Sequence, residues 1–111
     1  MEKTSSGLEQ NVAGALAYAL GWITGAVFLL TEPANKFVRF HALQSVIVFG
    51  SLSLLWFVTL SIPVLGWFFA LVILPPLSLI LWLLLMFKAY QGERFKVPFA
   101  GEIADQQEPA P

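Results

Sequence analysis

A long stretch without charge limits what this chain can fold into. Residues 42–87 are forty-six residues that include no Asp, Glu, Lys or Arg. One helix of that length would reach roughly 69 Å, about twice the thickness of the hydrocarbon core of a bilayer. The stretch must therefore fold back once, and the turn-forming residues Pro63 and Gly66 lie near its centre. We predict two membrane-spanning helices, at about 42–61 and 66–87.

A second charge-free stretch covers residues 12–30. As a helix it would reach about 28 Å, close to the ~30 Å of the hydrocarbon core. Since lipid offers the backbone no hydrogen-bond partners, helices are expected at these lengths. The prediction is an all-α membrane protein with three transmembrane helices. Its parts are an extracytoplasmic tail at 1–11, a single membrane domain at 12–104 and a disordered tail at 105–111.

The composition supports a membrane location and excludes other classes of protein. Hydrophobic residues make up 58% of the chain and charged residues 12%, whereas soluble domains contain about 25% charged residues. A chain of 111 residues cannot bury so much apolar surface in water, which excludes a soluble enzyme. The net charge of -1 provides no basic field for a nucleic acid. The lipid bilayer is the partner that this composition predicts.

The distribution of Lys and Arg predicts an orientation. With three spans, the loop at 31–41 and the C-terminal segment share one side of the membrane. That side would hold five of the basic residues, Lys36, Arg39, Lys88, Arg94 and Lys96, and the other side only Lys3. Because basic loops stay in the cytoplasm, we expect the N-terminus outside and the C-terminus inside. The inverted orientation is the alternative.

Small residues repeat along the first predicted span. At 100° per residue, one face carries Gly14, Ala17, Gly21 and Gly25. Small side chains let helix backbones approach closely in lipid. The stripe therefore predicts either packing against the other spans of the same chain or contact with a second copy, and we favour packing within the chain.

Pro75 and Pro76 lie within the third predicted span. Each proline removes a backbone donor, and its ring clashes with the preceding turn of a helix. We therefore predict a kink at this pair. A structural bend is the simpler interpretation, and a hinge or cavity wall is the alternative.

The start of the second span carries the densest group of polar residues. Thr31 and Pro33 have the residue types of a helix cap and a first helical turn. The sequence leaves open whether residues 33–41 form an interfacial helix continuous with 42–61. The polar cluster consists of Lys36, Arg39, His41, Gln44 and Ser45.

Helical geometry divides this cluster into two faces. His41, Gln44 and Ser45 share one face, opposite Lys36 and Arg39. We expect the basic pair to reach lipid phosphates. The three uncharged side chains would form hydrogen bonds between helices.

The segment after the third span has a pattern of its own. Gly92 has the residue type of a helix C-cap, and residues 93–99 alternate between charged and apolar types. We predict a short extended segment at the cytoplasmic surface, with its apolar side chains toward the membrane and its basic ones outward. The residues of this surface motif are Tyr90, Gly92, Glu93, Arg94 and Pro98.

Catalytic chemistry has little support in the sequence. The chain has no cysteine and one histidine, so a zinc site with three or four protein ligands is not expected. Neither charge-free stretch contains an acid or a base, and no nucleophile lies beside one. We expect no cofactor, no metal and no enzymatic activity.

Four stretches of the sequence are similar to a known family. They are residues 17–25, 35–45, 89–98 and 101–104, and the most specific part is Phe-Val-Arg-Phe-His-Ala-Leu-Gln-Ser at 37–45. They resemble the Tic-twenty-like family of small prokaryotic membrane proteins, mostly uncharacterised and distantly similar to a component of chloroplast protein import. The resemblance implies an integral protein of a prokaryotic plasma membrane and supplies no catalytic residues.

These observations favour a protein that acts by association. The first hypothesis is a small subunit or scaffold of a membrane complex, bound to a second copy or to other membrane proteins. The alternative is a homo-oligomeric pore or carrier for a small solute or a polypeptide, with Gln44, Ser45, Thr59 and Ser78 along a polar path. A lipid-modifying enzyme is a remote third.

Overall fold

The computed structural model describes residues 3–5 and 7–108. Over those ranges every regular element is helical, apart from one isolated bridge between Lys3 and Glu9, which confirms the predicted all-helical class. The elements are α1 (Gln10–Leu16), α2 (Trp22–Thr31), α3 (Lys36–Leu60), α4 (Leu65–Phe68), a π-helical stretch (Phe69–Ile73), α5 (Leu74–Tyr90) and α6 (Ala100–Gln107).

Two long apolar helices form the frame of the molecule. They are α3 and the continuous helix Leu65–Tyr90, which joins α4, the π-helical stretch and α5. Both are long and apolar enough to cross a bilayer. The chain folds back between them at the predicted turn. A side chain at Gly66 would overlap the carbonyl oxygen of Thr59, so the close approach of the two helices there requires glycine.

The helix α3 begins at Lys36. The residue types around Pro33 predicted an earlier start, and the charge-free stretch, which begins at Ala42, predicted a later one. The N-cap of α3 is Asn35, whose side-chain oxygen accepts a hydrogen bond from the Val38 amide at 3.0 Å, whereas Thr31 is the last residue of α2. The predicted cap at Thr31 is therefore wrong. Residues 36–41 are continuous with the long helix, which answers the question that the sequence left open.

The first predicted span is not one helix. It ends at Leu16, turns through residues 17–21 and starts again at Trp22. Gly21 has φ +64°, a backbone conformation that favours glycine. The Thr24 hydroxyl closes the turn, because it accepts from the Leu20 amide at 3.1 Å and donates to the Ala17 carbonyl at 3.1 Å. A charge-free length does not reveal such a reversal, and the prediction of a continuous helix over 12–30 is wrong.

The helices α1 and α2 run in opposite directions along α3. Gly14 lies against Phe37 and His41, and Gly21 lies against Phe49 farther along α3. The chain then returns, with Gly25 against Ala42 and Ser45. We call residues 10–31 the helical hairpin, whose turn lies at the level of Ser45 and Phe49.

Hydrogen bonds bring both ends of the helical hairpin together. The Ser5 amide donates to Glu32 Oε1 at 2.9 Å, and Asn35 Nδ2 donates to Gln10 Oε1 at 3.2 Å. Asn11 Nδ2 also donates to the Tyr90 carbonyl at 2.9 Å. The N-terminal segment and the C-terminal segment therefore lie at the same end of the bundle. Three full crossings would have placed these two segments at opposite ends of the bundle, so the sides of the membrane on which they lie stay a prediction.

The hydrophobic core is concentrated in one half of the molecule. It is built from residues of the helical hairpin, the first half of α3, the end of α5 and α6, namely Ala15, Tyr18, Val48, Phe49, Leu85, Ala89 and Ala100. In the other half the two long helices expose large apolar side chains such as Leu54, Phe57, Leu65 and Leu71. We call the end at which Ser5, Glu32 and Glu108 lie the polar end and the other half the far half.

The proline pair follows an irregular turn of the helix. The π-helical stretch Phe69–Ile73 directly precedes α5, in which Pro75 and Pro76 are the second and third residues. The Leu74 amide donates to the Phe69 carbonyl five residues before it, so the backbone widens one turn ahead of the missing donors. The departure from α-helical geometry lies before the prolines, and the bend at the pair stays a prediction.

The C-terminal region is more ordered than predicted. Residues 93–97 have no helix, as expected for an extended segment, and α6 then covers residues 105–107 of the predicted disordered tail. Ion pairs hold this region, since Asp105 contacts Arg94 at 3.0 Å and Glu108 pairs with Arg39. Disorder is therefore wrong for 105–108. Residues 109–111 lie outside the described part of the chain.

Candidate functional site at the polar end

Gln44 ties the extended C-terminal segment to α3. Its Oε1 accepts from the Val97 amide at 2.7 Å, and its Nε2 donates to the Phe95 carbonyl at 2.8 Å. The side chain is fully buried and satisfies the backbone of residues 95 and 97 as a neighbouring β-strand would. We call residues 93–97 the strap.

His41 holds the start of the strap. Its Nε2 lies 2.8 Å from the Glu93 carbonyl oxygen, which can only accept, so Nε2 carries the hydrogen. Its Nδ1 then accepts from the Tyr18 hydroxyl at 2.6 Å. The same hydroxyl accepts from Gln44 Nε2 at 2.9 Å. All of these side chains are buried, and the network links the helical hairpin, α3 and the strap.

Ser45 and Arg39 attach the returning helix of the hairpin. Ser45 Oγ donates to the Gly21 carbonyl at 2.8 Å, within the turn. Arg39 Nη1 donates to the Leu29 carbonyl at 3.0 Å and so satisfies an oxygen in the last turn of α2. We use the term hub for Tyr18, His41, Gln44 and Ser45, the buried residues that connect the three parts.

The predicted small-residue stripe packs against α3 of the same chain. Gly14 and Gly25 lie within α1 and α2, whereas Ala17 and Gly21 lie in the turn between them. A side chain at Gly25 would come within 2.9 Å of the Ala42 carbonyl oxygen. The close approach that the stripe suggested is therefore present, on two helices rather than one.

Arg94 does not turn outward as the alternating pattern predicted. Its guanidinium lies 4.1 Å from the centre of the Phe40 ring, and its Nη2 contacts Asp105 at 3.0 Å. Lys96 Nζ contacts the same carboxylate at 3.2 Å. The hydrogen bond from Arg94 and then that from Lys96 lower the pKa of Asp105 below its ordinary value. The apolar residue Phe99 is exposed instead.

The other residues of the C-terminal surface motif surround the strap. Tyr90 ends α5, and Gly92 follows with φ +83°, which suits the predicted helix stop. Glu93 pairs with Lys88 at 3.1 Å. Pro98 lies in the turn that leads into α6, where its carbonyl accepts from the Ala100 amide at 2.8 Å.

An open pocket of about 780 Å³ lies at the polar end. Its basic lining residues are Lys3, Lys36 and Arg94, with Glu32 beside them. Basic side chains in this arrangement suit a phosphate or carboxylate group. Over residues 3–5 and 7–108, no three His, Cys, Asp or Glu side chains are grouped to hold a metal ion.

The structure separates the residues of the predicted polar path. Gln44 and Ser45 are fully buried and bonded to other parts of the chain. Thr59 donates to the Trp56 carbonyl of its own helix. These three side chains face different parts of one chain, and Ser78 Oγ is buried without a hydrogen-bond partner among the described residues. The homo-oligomeric pore stays a prediction.

Sequence reasoning missed the role of two aromatic residues. Tyr18 completes the hub, and Trp82 Nε1 donates to the Tyr18 carbonyl at 2.8 Å, which attaches α5 to the turn of the hairpin. Each of the two residues carries a polar atom within an apolar stretch of the sequence. Because such an atom requires a hydrogen-bond partner when buried, both residues could have been predicted to form a hydrogen bond. Nothing in the sequence indicates that the two residues pair.

The fold and the hub define a small helical membrane protein with its polar groups gathered at one end. Residues 4–104 match the model of the magnetosome magnetite crystal formation protein family. The chain belongs to this family.

Curated relatives support the membrane location. A UPF0132 membrane protein of Methanocaldococcus jannaschii is 50% identical over 107 residues, 96% of this chain and 94% of the relative. A second protein of that name from the same organism is 46% identical over 100 residues, 90% of this chain and 71% of the relative. One from Archaeoglobus fulgidus is 45% identical over 104 residues, 90% of this chain and 96% of the relative.

No solved structure matches the chain significantly. The family match and the relatives give no support to the resemblance to the Tic-twenty-like family. They support a membrane protein of a family without an assigned biochemical activity.

Proposed function

We propose that the protein is a non-enzymatic scaffold, a small subunit that presents a preformed polar surface at one face of a prokaryotic plasma membrane. The observation that carries the proposal is the attachment of the strap by Gln44 and His41. It makes the C-terminal region part of the folded body, and its charged side chains are held in place for a partner. The description of the family, which names crystal formation, is compatible with such a supporting role.

The non-enzymatic part of the proposal rests on the hydrogen-bond partners of His41 and Gln44 in the hub. Both ring nitrogens of His41 have hydrogen-bond partners within the chain. Gln44 likewise uses its amide oxygen and nitrogen on Val97, Phe95 and Tyr18. Both side chains are fully buried, so they stabilise the fold and are not presented to a substrate.

The proposal includes a topology with two crossings. α3 and the helix Leu65–Tyr90 cross the membrane, while the helical hairpin enters from the polar end and returns to it. The ten residues of α2 reach about 15 Å, which is half of the ~30 Å hydrocarbon core. A hairpin of this depth extends through one leaflet of the bilayer and not through both.

In the same topology all six basic residues lie on one side of the membrane. Lys3 lines the pocket together with Lys36 and Arg94, so it lies on the side of the other five rather than opposite them. By the positive-inside rule we infer that the polar end, with Lys3 and Glu108, lies in the cytoplasm.

Cysteine labelling tests the topology, because the chain contains no cysteine of its own. Single variants Lys3→Cys, Ser61→Cys and Glu102→Cys would be treated in cells with a membrane-impermeant maleimide. We expect Lys3→Cys and Glu102→Cys to be protected and Ser61→Cys to react. Reaction of Lys3→Cys together with Ser61→Cys would instead establish the three-span arrangement.

The scaffold role is tested by the mass and content of the protein in polymer-extracted native membrane patches. We expect a second polypeptide, or further copies of this chain, at a fixed stoichiometry. Gln44→Leu, which releases the strap, should lower that stoichiometry, while Thr59→Val, on the far part of the same helix, should leave it unchanged. A single chain with no partner, or equal behaviour of the two variants, would contradict the proposal.

A further inference from the structure

The helical hairpin makes the molecule wider at one end than at the other. Given the topology proposed above, on which this inference rests, we propose that the protein is a wedge that prefers curved membrane whose convex side faces the polar end. The ligand is the bilayer itself, through its curvature.

The asymmetry follows from the depth of the hairpin. Its turn lies beside Phe49, thirteen residues along α3 from Lys36, which is about 20 Å at 1.5 Å per residue. The hydrocarbon core is about 30 Å thick. Lys36 is charged and lies in the headgroup region, several Å outside the core, so a depth of about 20 Å from it places the turn near the middle of the bilayer. The hairpin therefore occupies the leaflet on the side of the polar end.

The number of helices differs between the two leaflets. On the side of the polar end, α1 and α2 pack beside α3 and α5, so four helices pass through that leaflet. In the far half, over the described residues 3–5 and 7–108, only the two long helices continue. With a diameter of about 10 Å per helix, the two extra helices add on the order of 160 Å² of cross-section to one leaflet.

The outer surface of the hairpin is apolar and faces away from the protein. Leu20 is 67% exposed and Leu30 83% exposed, and Ile23 and Val27 between them are about half exposed. Surface of this kind lies against lipid tails rather than water. The hairpin therefore displaces lipid in its own leaflet and expands that leaflet relative to the other.

An expanded leaflet is accommodated best on the convex side of a curved membrane. The protein should therefore concentrate in small vesicles, and in them the polar end should face outward. Since the shape alone produces the effect, neutral lipids suffice.

The experiment uses the full chain labelled with a fluorophore through Glu102→Cys and reconstituted into phosphatidylcholine vesicles of mixed size. Density per membrane area is measured vesicle by vesicle, and the fraction of label outside is measured with an impermeant quencher. We expect about two-fold higher density on vesicles of about 50 nm than on those above about 200 nm, with the outward fraction rising as diameter falls. A density independent of diameter, or an inward polar end on small vesicles, would overturn the inference.

Two matched variants test whether molecular shape causes the preference for small vesicles. One trims the hairpin (Leu20→Ala, Ile23→Ala and Leu30→Ala), and the other trims the far half (Leu54→Ala, Phe57→Ala and Leu71→Ala), all at exposed apolar positions. The first should weaken the size preference and the second should strengthen it. Changes of the same sign in both would contradict the wedge.

The topology experiment distinguishes the two proposals. If cysteine labelling gives three spans, both the topology and the wedge fail. If labelling gives two crossings while the density is independent of diameter, the wedge alone fails.

Discussion

Ser5 and Glu32, 27 residues apart in the chain, are joined by two hydrogen bonds: the Ser5 amide donates to Glu32 Oε1 at 2.9 Å, and the Ser5 hydroxyl donates to the same oxygen at 2.8 Å. Glu32 is 2% exposed. The pair closes the helical hairpin at its open end, so the chain leaves the polar end at Gln10 and is back there by Thr31. A transmembrane first helix would have separated these two residues by the thickness of the bilayer.

Replacing Gln44 with Leu should release the strap. The change removes the partner of the Val97 amide and of the Phe95 carbonyl, and unsatisfied buried groups cost about 1–3 kcal/mol each. We expect a loss of about 2 kcal/mol in strap attachment, which corresponds to roughly thirty-fold faster cleavage by trypsin after Arg94 and Lys96. Limited proteolysis in detergent with mass spectrometry measures it.

Thr59→Val is the control for that variant. Thr59 donates only within its own helix, so strap cleavage should match that of the wild type. If Gln44→Leu were cleaved no faster than the control, Gln44 would not hold the strap.

Gly21→Ala should destabilise the turn of the helical hairpin. Gly21 has φ +64° and ψ -135°, a backbone conformation that is nearly restricted to glycine, and an L-residue there costs about 1–3 kcal/mol. Thermal unfolding in detergent, followed by circular dichroism, measures the change. Gly50→Ala is the matched control, since nothing lies within 4 Å of its added side chain. It should be unchanged or more stable by about 0.5–1 kcal/mol.

Gly101→Ala should weaken the contact of α6 with the strap. An added side-chain carbon would lie 2.6 Å from Lys96 Cα and 2.7 Å from Gln44 Oε1. Overpacking of this kind costs about 1–3 kcal/mol. We expect faster hydrogen exchange of the α6 amides and of the Val97 amide, with no change in the far half. An exchange pattern identical to that of wild type would show that α6 adapts without loss.

Acid should remove the contribution of the Asp105 carboxylate to the stability of the folded state. Its pKa is lowered by the hydrogen bonds from Arg94 and then Lys96, so the folded state binds the proton more weakly than the unfolded state. The stabilisation is fully present above the pKa of the unfolded carboxyl, about 4, and is lost as the pH falls through the lower folded value.

Unfolding of the wild type and of Asp105→Asn, compared from about pH 6 to about pH 2.5, measures this contribution. The stability difference between the two should be constant at the upper end and shrink at the lower end. A difference that does not depend on pH would assign the effect of the variant to something other than ionisation.

Much of the hub was predictable from helical periodicity. His41, Gln44 and Ser45 share a face because they are spaced by three and four residues, and the structure places all three on the buried side of α3. The partners of these residues were not predictable. Glu93, Phe95 and Val97 contribute backbone atoms, and no side-chain pattern marks a backbone group that lies fifty residues away.

The sequence by itself determined two long apolar helices, the turn between them and the all-helical class. The length of a charge-free stretch limits how many helices can cross the bilayer within it. Residues 42–87 are long enough for two crossing helices joined by a turn. The tertiary structure alone decided the path of residues 12–30. The length of a charge-free stretch does not show whether the chain reverses within it. The reversal uses the glycine backbone conformation at Gly21, the bond between Ser5 and Glu32, and the hydrogen bond that Ser45 of α3 donates to the Gly21 carbonyl.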